Sequence, residues 1–181
     1  MSWQGPVSTT LLFAFTGITA ATDIWRRRIY NWTTYPGILA AFAANTLEAG
    51  LPGFEESVRG FLGLGLIMLV CIAAFPIGGG DVKLLAMLGA FLGFRAGLEV
   101  LLWTFVLGSV MGLARVIWTV GIVRLLARMG RRAWNLVRWR WWTPADEAER
   151  TLLDTRLFLA PAALAAVVIV KLSLFPTSAW P

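Results

Sequence analysis

Six long apolar stretches follow one another along this chain, at about 7–22, 33–49, 58–75, 82–93, 98–120 and 157–175. In hydrocarbon the backbone N–H and C=O groups of such stretches can be satisfied only within a helix or a closed barrel. Most of the stretches approach the roughly 20 residues that a helix needs to cross a bilayer. The pattern therefore predicts an all-α polytopic membrane protein with about six transmembrane helices, built as one domain over 1–181. Composition agrees, since only 14% of residues are charged and 58% are hydrophobic, whereas soluble domains carry about 25% charged residues. Ten tryptophans suit the headgroup layer, where amphipathic rings settle.

Charge sets the expected orientation. Nothing basic precedes the first stretch, so it lacks the positive n-region of a secretory signal peptide. It is followed instead by Asp23 and the run Arg26-Arg27-Arg28. Basic residues flank spans on the cytosolic side, which places both termini outside and the arginines in the cytosol. The acidic segment 50–57, with Pro52, Gly53, Glu55 and Glu56, is expected as an outer loop. Pro76 is expected to stop the third span. The fourth stretch is short, roughly 20 Å as a helix of a dozen residues against a core of about 30 Å. If it did not cross, the arginines at 124, 128, 131, 132, 138 and 140 would lie outside. It is therefore expected to cross, beginning below the surface, with Gly78-Gly79-Gly80 as partly submerged non-helical backbone lining a cavity.

Residues 124–142 form an amphipathic stretch with arginines on one face and Trp134, Trp139, Trp141 and Trp142 near the interface. This is expected to be a helix lying on the anionic inner leaflet. Thr143-Pro144 with Asp146 and Glu147 is expected to start a further short helix, and Pro161 to kink the sixth span. By this layout all of the 16 Lys and Arg residues except Arg59, Arg95, Arg115 and Lys171 fall on or beside the cytosolic face. The formal charge of +6 thus reads as positive-inside bias, and no nucleic-acid partner is expected.

The chain has no histidine. A Ser-His-Asp triad and an H-E-x-x-H zinc site are therefore excluded. The single Cys71 can form neither an internal disulfide nor a Cys-rich metal site, and it reads as a small buried hydrophobe. No metal and no cofactor are expected. Acid–base work falls to carboxylates, lysines and two tyrosines.

Ionisable groups at membrane depth are costly and are functional candidates by default. Asp23 closes the first stretch and Asp81 opens the fourth, so the layout brings both to one cytosolic-side layer. Glu48 and Glu99 fall towards the outer ends. Two carboxylates that approach closely share a proton, which leaves one acid and one base poised together. Such a pair can activate water and protonate a peptide carbonyl without a metal or covalent intermediate. Glycines before Asp81 would let an extended peptide approach. Blander readings stand beside this one: Asp23 as a flanking charge paired with arginines, Asp81 as a cap for a helix beginning at Val82. The segment G-G-G-D-V-K lacks the spacing and hydroxyl of a phosphate-binding loop.

At these residues the chain resembles the type IV prepilin peptidase family of membrane aspartyl proteases. The block from Asp23 through Arg28, Ile29, Tyr30 and Asn31 is similar to the family's aspartate followed by an R-x-I-P-N-like element, with Tyr30 where proline is common. Gly78-Gly79-Gly80-Asp81-Val82-Lys83 is similar to its G-x-G-D motif with a downstream lysine. The resemblance implies an aspartic endopeptidase of the bacterial inner membrane. Its substrate would be a prepilin or pseudopilin, cut at the cytosolic face to remove a short basic leader. Asp23 and Asp81 match the catalytic aspartates. Gly78, Gly79, Gly80, Lys83, Arg28 and Asn31 match motif or substrate-positioning sites. Larger members carry a Cys-rich insert and also N-methylate the mature pilin. This chain has no C-x-x-C pair, which implies the small branch associated with Flp (tight-adherence) pili, without the methyltransferase. Two other classes compete: a small cation- or proton-coupled transporter using the same aspartates, and a nonenzymatic assembly factor of a pilus or secretion complex.

Overall fold

The computed structural model describes residues 5–26, 28–74, 78–120 and 159–172. They are helical: α1 (Pro6–Arg26), α2 (Asn31–Ala74), α3 (Gly79–Val120) and α4 (Leu159–Lys171). Three stretches are long and apolar enough to cross a membrane, Pro6–Arg26, Asn31–Ala73 and Gly79–Ala114, and Leu159–Lys171 is a shorter apolar helix. The chain forms two compact units, Met1–Leu107 with Phe158–Pro181, and Gly108–Leu157. Within the second unit the described residues are the end of α3, with Val110, Met111, Leu113 and Trp118 exposed. The expected interfacial helix at 124–142 and the helix start at Thr143 lie outside the described residues, as does Pro76.

Two glycines divide the long helices. Gly50 has φ 66° and ψ −148°, and Gly93 has φ 76° and ψ 178°, a backbone region essentially restricted to glycine. At both the chain folds back. Phe42 stacks edge-on against Phe54 and Phe61 with centroids 5.9 and 5.7 Å away, whereas 19 residues of straight helix would separate Phe42 and Phe61 by about 28 Å. A Cβ on Gly97 would lie 3.3 Å from Gly89 Cα, eight residues earlier. The helical segments are thus 6–26, 31–49, 51–74, 79–92, 94–120 and 159–171.

Two expectations need correction here. Segment 50–57 is not a loop, because only Gly50 leaves helical geometry. Pro52 sits in the first turn of the next segment, where its missing N–H costs nothing. Glu55 and Glu56 follow near that helix start and pair with Arg59 at 3.2 and 3.5 Å. These residues are helix-start signals rather than loop signals. Likewise Gly79 and Gly80 belong to α3 instead of preceding it. Pro161 lies within α4, and the residues before Leu159 against which a kink would show lie outside the described residues.

The core explains why the short segment 79–92 is tolerated. Leu84, Leu85, Met87, Leu88, Ala90, Phe91 and Leu92 are all buried, so this helix is enclosed on every side, as an all-round apolar helix must be. Its closest neighbour is the segment 51–74. A Cβ on Gly60 would strike the Gly89 carbonyl, and a Cβ on Gly89 the Gly60 carbonyl. The two backbones touch directly, the close approach that small residues permit between membrane helices.

The opposite end from Asp23 is closed by polar side chains. The turn at Gly93 interrupts the helical ladder, so the carbonyls just before it need other donors. Asn45 Nδ2 donates to Ala90 O at 2.9 Å, to Phe91 O at 3.3 Å and to Ser57 Oγ at 2.9 Å, while Ser57 Oγ donates to Ala90 O. Ser8 Oγ reaches Asn45 Oδ1 at 2.6 Å. Glu48 caps α1 from outside, accepting the N–H groups of Gly5 and Val7 at 2.8 and 2.7 Å. Asn45→Leu keeps the bulk but removes these donors. It should destabilise the protein by about 1–3 kcal/mol, the cost of leaving buried acceptors unpaired. Denaturation in detergent micelles measures this.

Candidate active site

Asp23 is delivered by the helical period. The buried residues of α1 are Ser8, Leu12, Thr16, Thr19, Ala20 and Asp23, three and four apart along one stripe, while Ile24 and Trp25 are exposed. Thr16 and Thr19 satisfy their hydroxyls on the carbonyls one turn back, Leu12 O and Phe15 O, both at 2.7 Å. A carboxylate cannot do this, because it needs donors rather than acceptors. Asp23 is 7% exposed, and its Oδ2 accepts the backbone N–H of Ala160 at 3.3 Å. Among the described residues it makes no ion pair with Arg26 or Arg28, so its setting differs from that of a solvated flanking charge.

Asp81 lies in the first turn of α3 and is half-buried. Its Oδ2 accepts the N–H of Gly78 at 3.2 Å, and its own N–H donates to Gly78 O at 3.0 Å. This is the reach-back of a third-position acid in a capping box, with Gly78 as the capping residue. A capping role is therefore real, but it engages one carboxylate oxygen. In sequence 57 residues and two long helical segments separate Asp23 from Asp81, yet the blocks that carry them touch.

The two sequence blocks meet at two points, and a third contact reaches Tyr35 just beyond them. Lys83 Nζ donates to Asn31 Oδ1 at 2.8 Å and lies 5.0 Å from the centre of the Tyr35 ring, a cation–π distance. Asn31 and Tyr35 are four apart at the start of α2 and so share one helix face. A Cβ on Gly80 would come within 2.9 Å of Ile29 Cβ. Gly80 thus lets the 28–30 connection lie against α3, while a Cβ on Gly79 would meet nothing within 4 Å among the described residues. Arg28 is exposed, without a hydrogen bond or ion pair among the described residues. The sequence motifs do not single out Tyr35, although its spacing from Asn31 places it on the same face. The donor from Ala160 carries no sequence signal at all. Among the described residues no group of three or more His, Cys, Asp or Glu converges.

Comparison with known proteins bears on this arrangement. A protein of Myxococcus xanthus (strain DK1622) described as prepilin leader peptidase/N-methyltransferase is 37% identical over 93 residues. The match covers 48% of this chain and 28% of that relative's length. No solved structure matches. The model of the type IV leader peptidase family matches residues 10–113, more than half of the chain and a range that includes both aspartates, and the chain therefore belongs to the type IV leader peptidase family.

Proposed function

We propose that this chain is an aspartic endopeptidase that removes the short basic leader of prepilins or pseudopilins, with Asp23 and Asp81 as its catalytic pair. The observation that carries the reading is the meeting of the two motif blocks, through Lys83 with Asn31 and Gly80 with Ile29, each block bringing an acid with one oxygen held by a backbone N–H. In the proposed reaction the ionised member of the pair takes a proton from water as the water oxygen attacks the scissile carbonyl carbon. The neutral member protonates the carbonyl oxygen. The tetrahedral intermediate then collapses, the C–N bond breaks, and the leaving nitrogen receives a proton from the pair. The side of Gly79 that is clear of other atoms among the described residues supports an extended peptide approaching next to Asp81.

Under the same proposal the six helical segments are six crossings of the bacterial inner membrane, with both termini outside and the aspartates at the cytosolic face. The chain reversals at Gly50 and Gly93 and the positive charge after α1 support that layout. The absence of any C-x-x-C pair supports a peptidase of the Flp type without methyltransferase activity. The test is co-expression with a prepilin that has a short basic leader before its hydrophobic helix. Loss of the leader, seen by gel shift and by the mass of the mature N-terminus, is the expected result. An intact prepilin beside correctly inserted enzyme would refute the reading.

Lys83 and Asn31 are expected to position the pair rather than to react. Lys83→Ala and Asn31→Ala should each slow cleavage by about 10-fold, short of the ~10²-fold that a 1 Å misplacement can cost. Lys83→Arg, which keeps a donor to Asn31 Oδ1, should recover part of the loss in the same gel-shift assay.

A further inference from the structure

We infer that the backbone N–H of Ala160 is a positioning group for the proposed cleavage: it holds Oδ2 of Asp23 and leaves Oδ1 as the oxygen available to water. The inference rests on the two-aspartate reading above. It adds to the active site a part of the chain, α4, that lies outside the family-matched residues 10–113.

The backbone N–H of Ala160 reaches from α4 to a side-chain oxygen of α1. Ala160, Ala162, Ala163 and Ala166 are each 0% exposed, and an alanine face allows a helix to lie close against its neighbour. Asp23, on the buried stripe of α1, has given up water, and a buried carboxylate requires a compensating donor. The 3.3 Å bond from Ala160 meets that need and also fixes the plane of the carboxylate. A group whose attack geometry matters gains most from being held in this way.

A purely structural role is the competing explanation: Asp23 would then serve only to anchor α4. Ala160→Pro separates the two. It removes the N–H, whereas Ala160→Gly keeps the donor. The purified variants are compared with wild type on a prepilin in detergent, with kcat referred to folded enzyme and thermal melting followed alongside. The expected result is a fall in kcat of about 10–100-fold for A160P, in line with the cost of misplacement, with KM little changed and A160G close to wild type. Unchanged kcat in A160P, or an equal fall in A160G, overturns the inference. If A160P does not accumulate as folded protein, Ala163→Leu, which pushes α4 away from α1, must show the same selective loss of kcat, and wild-type kcat there overturns it equally. A wild-type enzyme that leaves the prepilin intact overturns the two-aspartate reading, and the positioning role with it.

Discussion

Asp23→Asn and Asp81→Asn are each expected to lower prepilin cleavage by about 10³-fold, within the ~10²–10⁴-fold range of acid–base catalysis, while the protein still inserts and folds. The reason is chemical rather than structural. Asparagine nearly matches aspartate in shape, and its carbonyl oxygen can still accept from the Ala160 or Gly78 N–H. What it cannot do is take a proton from water or give one to a carbonyl oxygen. Protein level and melting temperature should therefore stay near wild type while leader removal, followed by gel shift against time, almost stops. A variant that keeps substantial cleavage would remove that residue from the catalytic pair. An ion-coupled transporter predicts a different pattern, aspartate-dependent flux in proteoliposomes without any leader removal.

The largest expected effect on folding lies at the crossing of the segments 51–74 and 79–92. Gly60→Leu and Gly89→Leu each place a side chain against a backbone carbonyl of the other helix, and a backbone in a close-packed bundle cannot give way as a flexible side chain can. Overpacking usually costs about 1–3 kcal/mol and more where nothing can shift. Because the segment 79–92 carries Asp81 and is buried on every side from Leu84 onward, its displacement should unseat the core and the site together. The expected outcome is little or no monodisperse protein by size-exclusion chromatography, with no cleavage. Gly17→Ala is the control: a Cβ there meets nothing within 4 Å among the described residues. Relief from glycine's backbone entropy should leave that variant at least as stable as wild type. Normal yield of Gly89→Leu would contradict the direct backbone contact.

Much of this architecture is legible in the sequence because each apolar stretch and each helical segment answers to the same physical demand, satisfaction of backbone polarity away from water. The stretch at 82–93 ends where Gly93 turns the chain, and the stretch at 33–49 ends at Gly50. The boundaries that differ are those where one residue type has two meanings. Pro52 and Gly53 suggest a loop by composition, yet proline also suits a helix start, and Gly53 packs against the Asn45 carbonyl across the turn. The glycines before Asp81 suggest irregular backbone, yet the Gly78 N–H bonded to Asp81 lets the helix begin at Gly79. At the site, the two aspartates and the pair Lys83 and Asn31 can be named from their motifs. The contact between Lys83 and Asn31 depends on how α2 meets α3, and no local pattern reports that. Ala160 is further out of reach, since a backbone donor has no side-chain signature and its partner lies 137 residues away.

The most direct test of the central claim, that Asp23 and Asp81 work as one unit, is the cleavage rate of purified wild type, D23N, D81N and the double variant D23N/D81N on one prepilin in detergent. Residues that act together are strongly non-additive, so that losing both costs little more than losing one. The double variant is expected to cleave no more slowly than the worse single variant, with all three about 10³-fold below wild type. Losses that multiply, so that the double variant falls by the product of the two single effects, would show two independent contributions and contradict a shared catalytic pair.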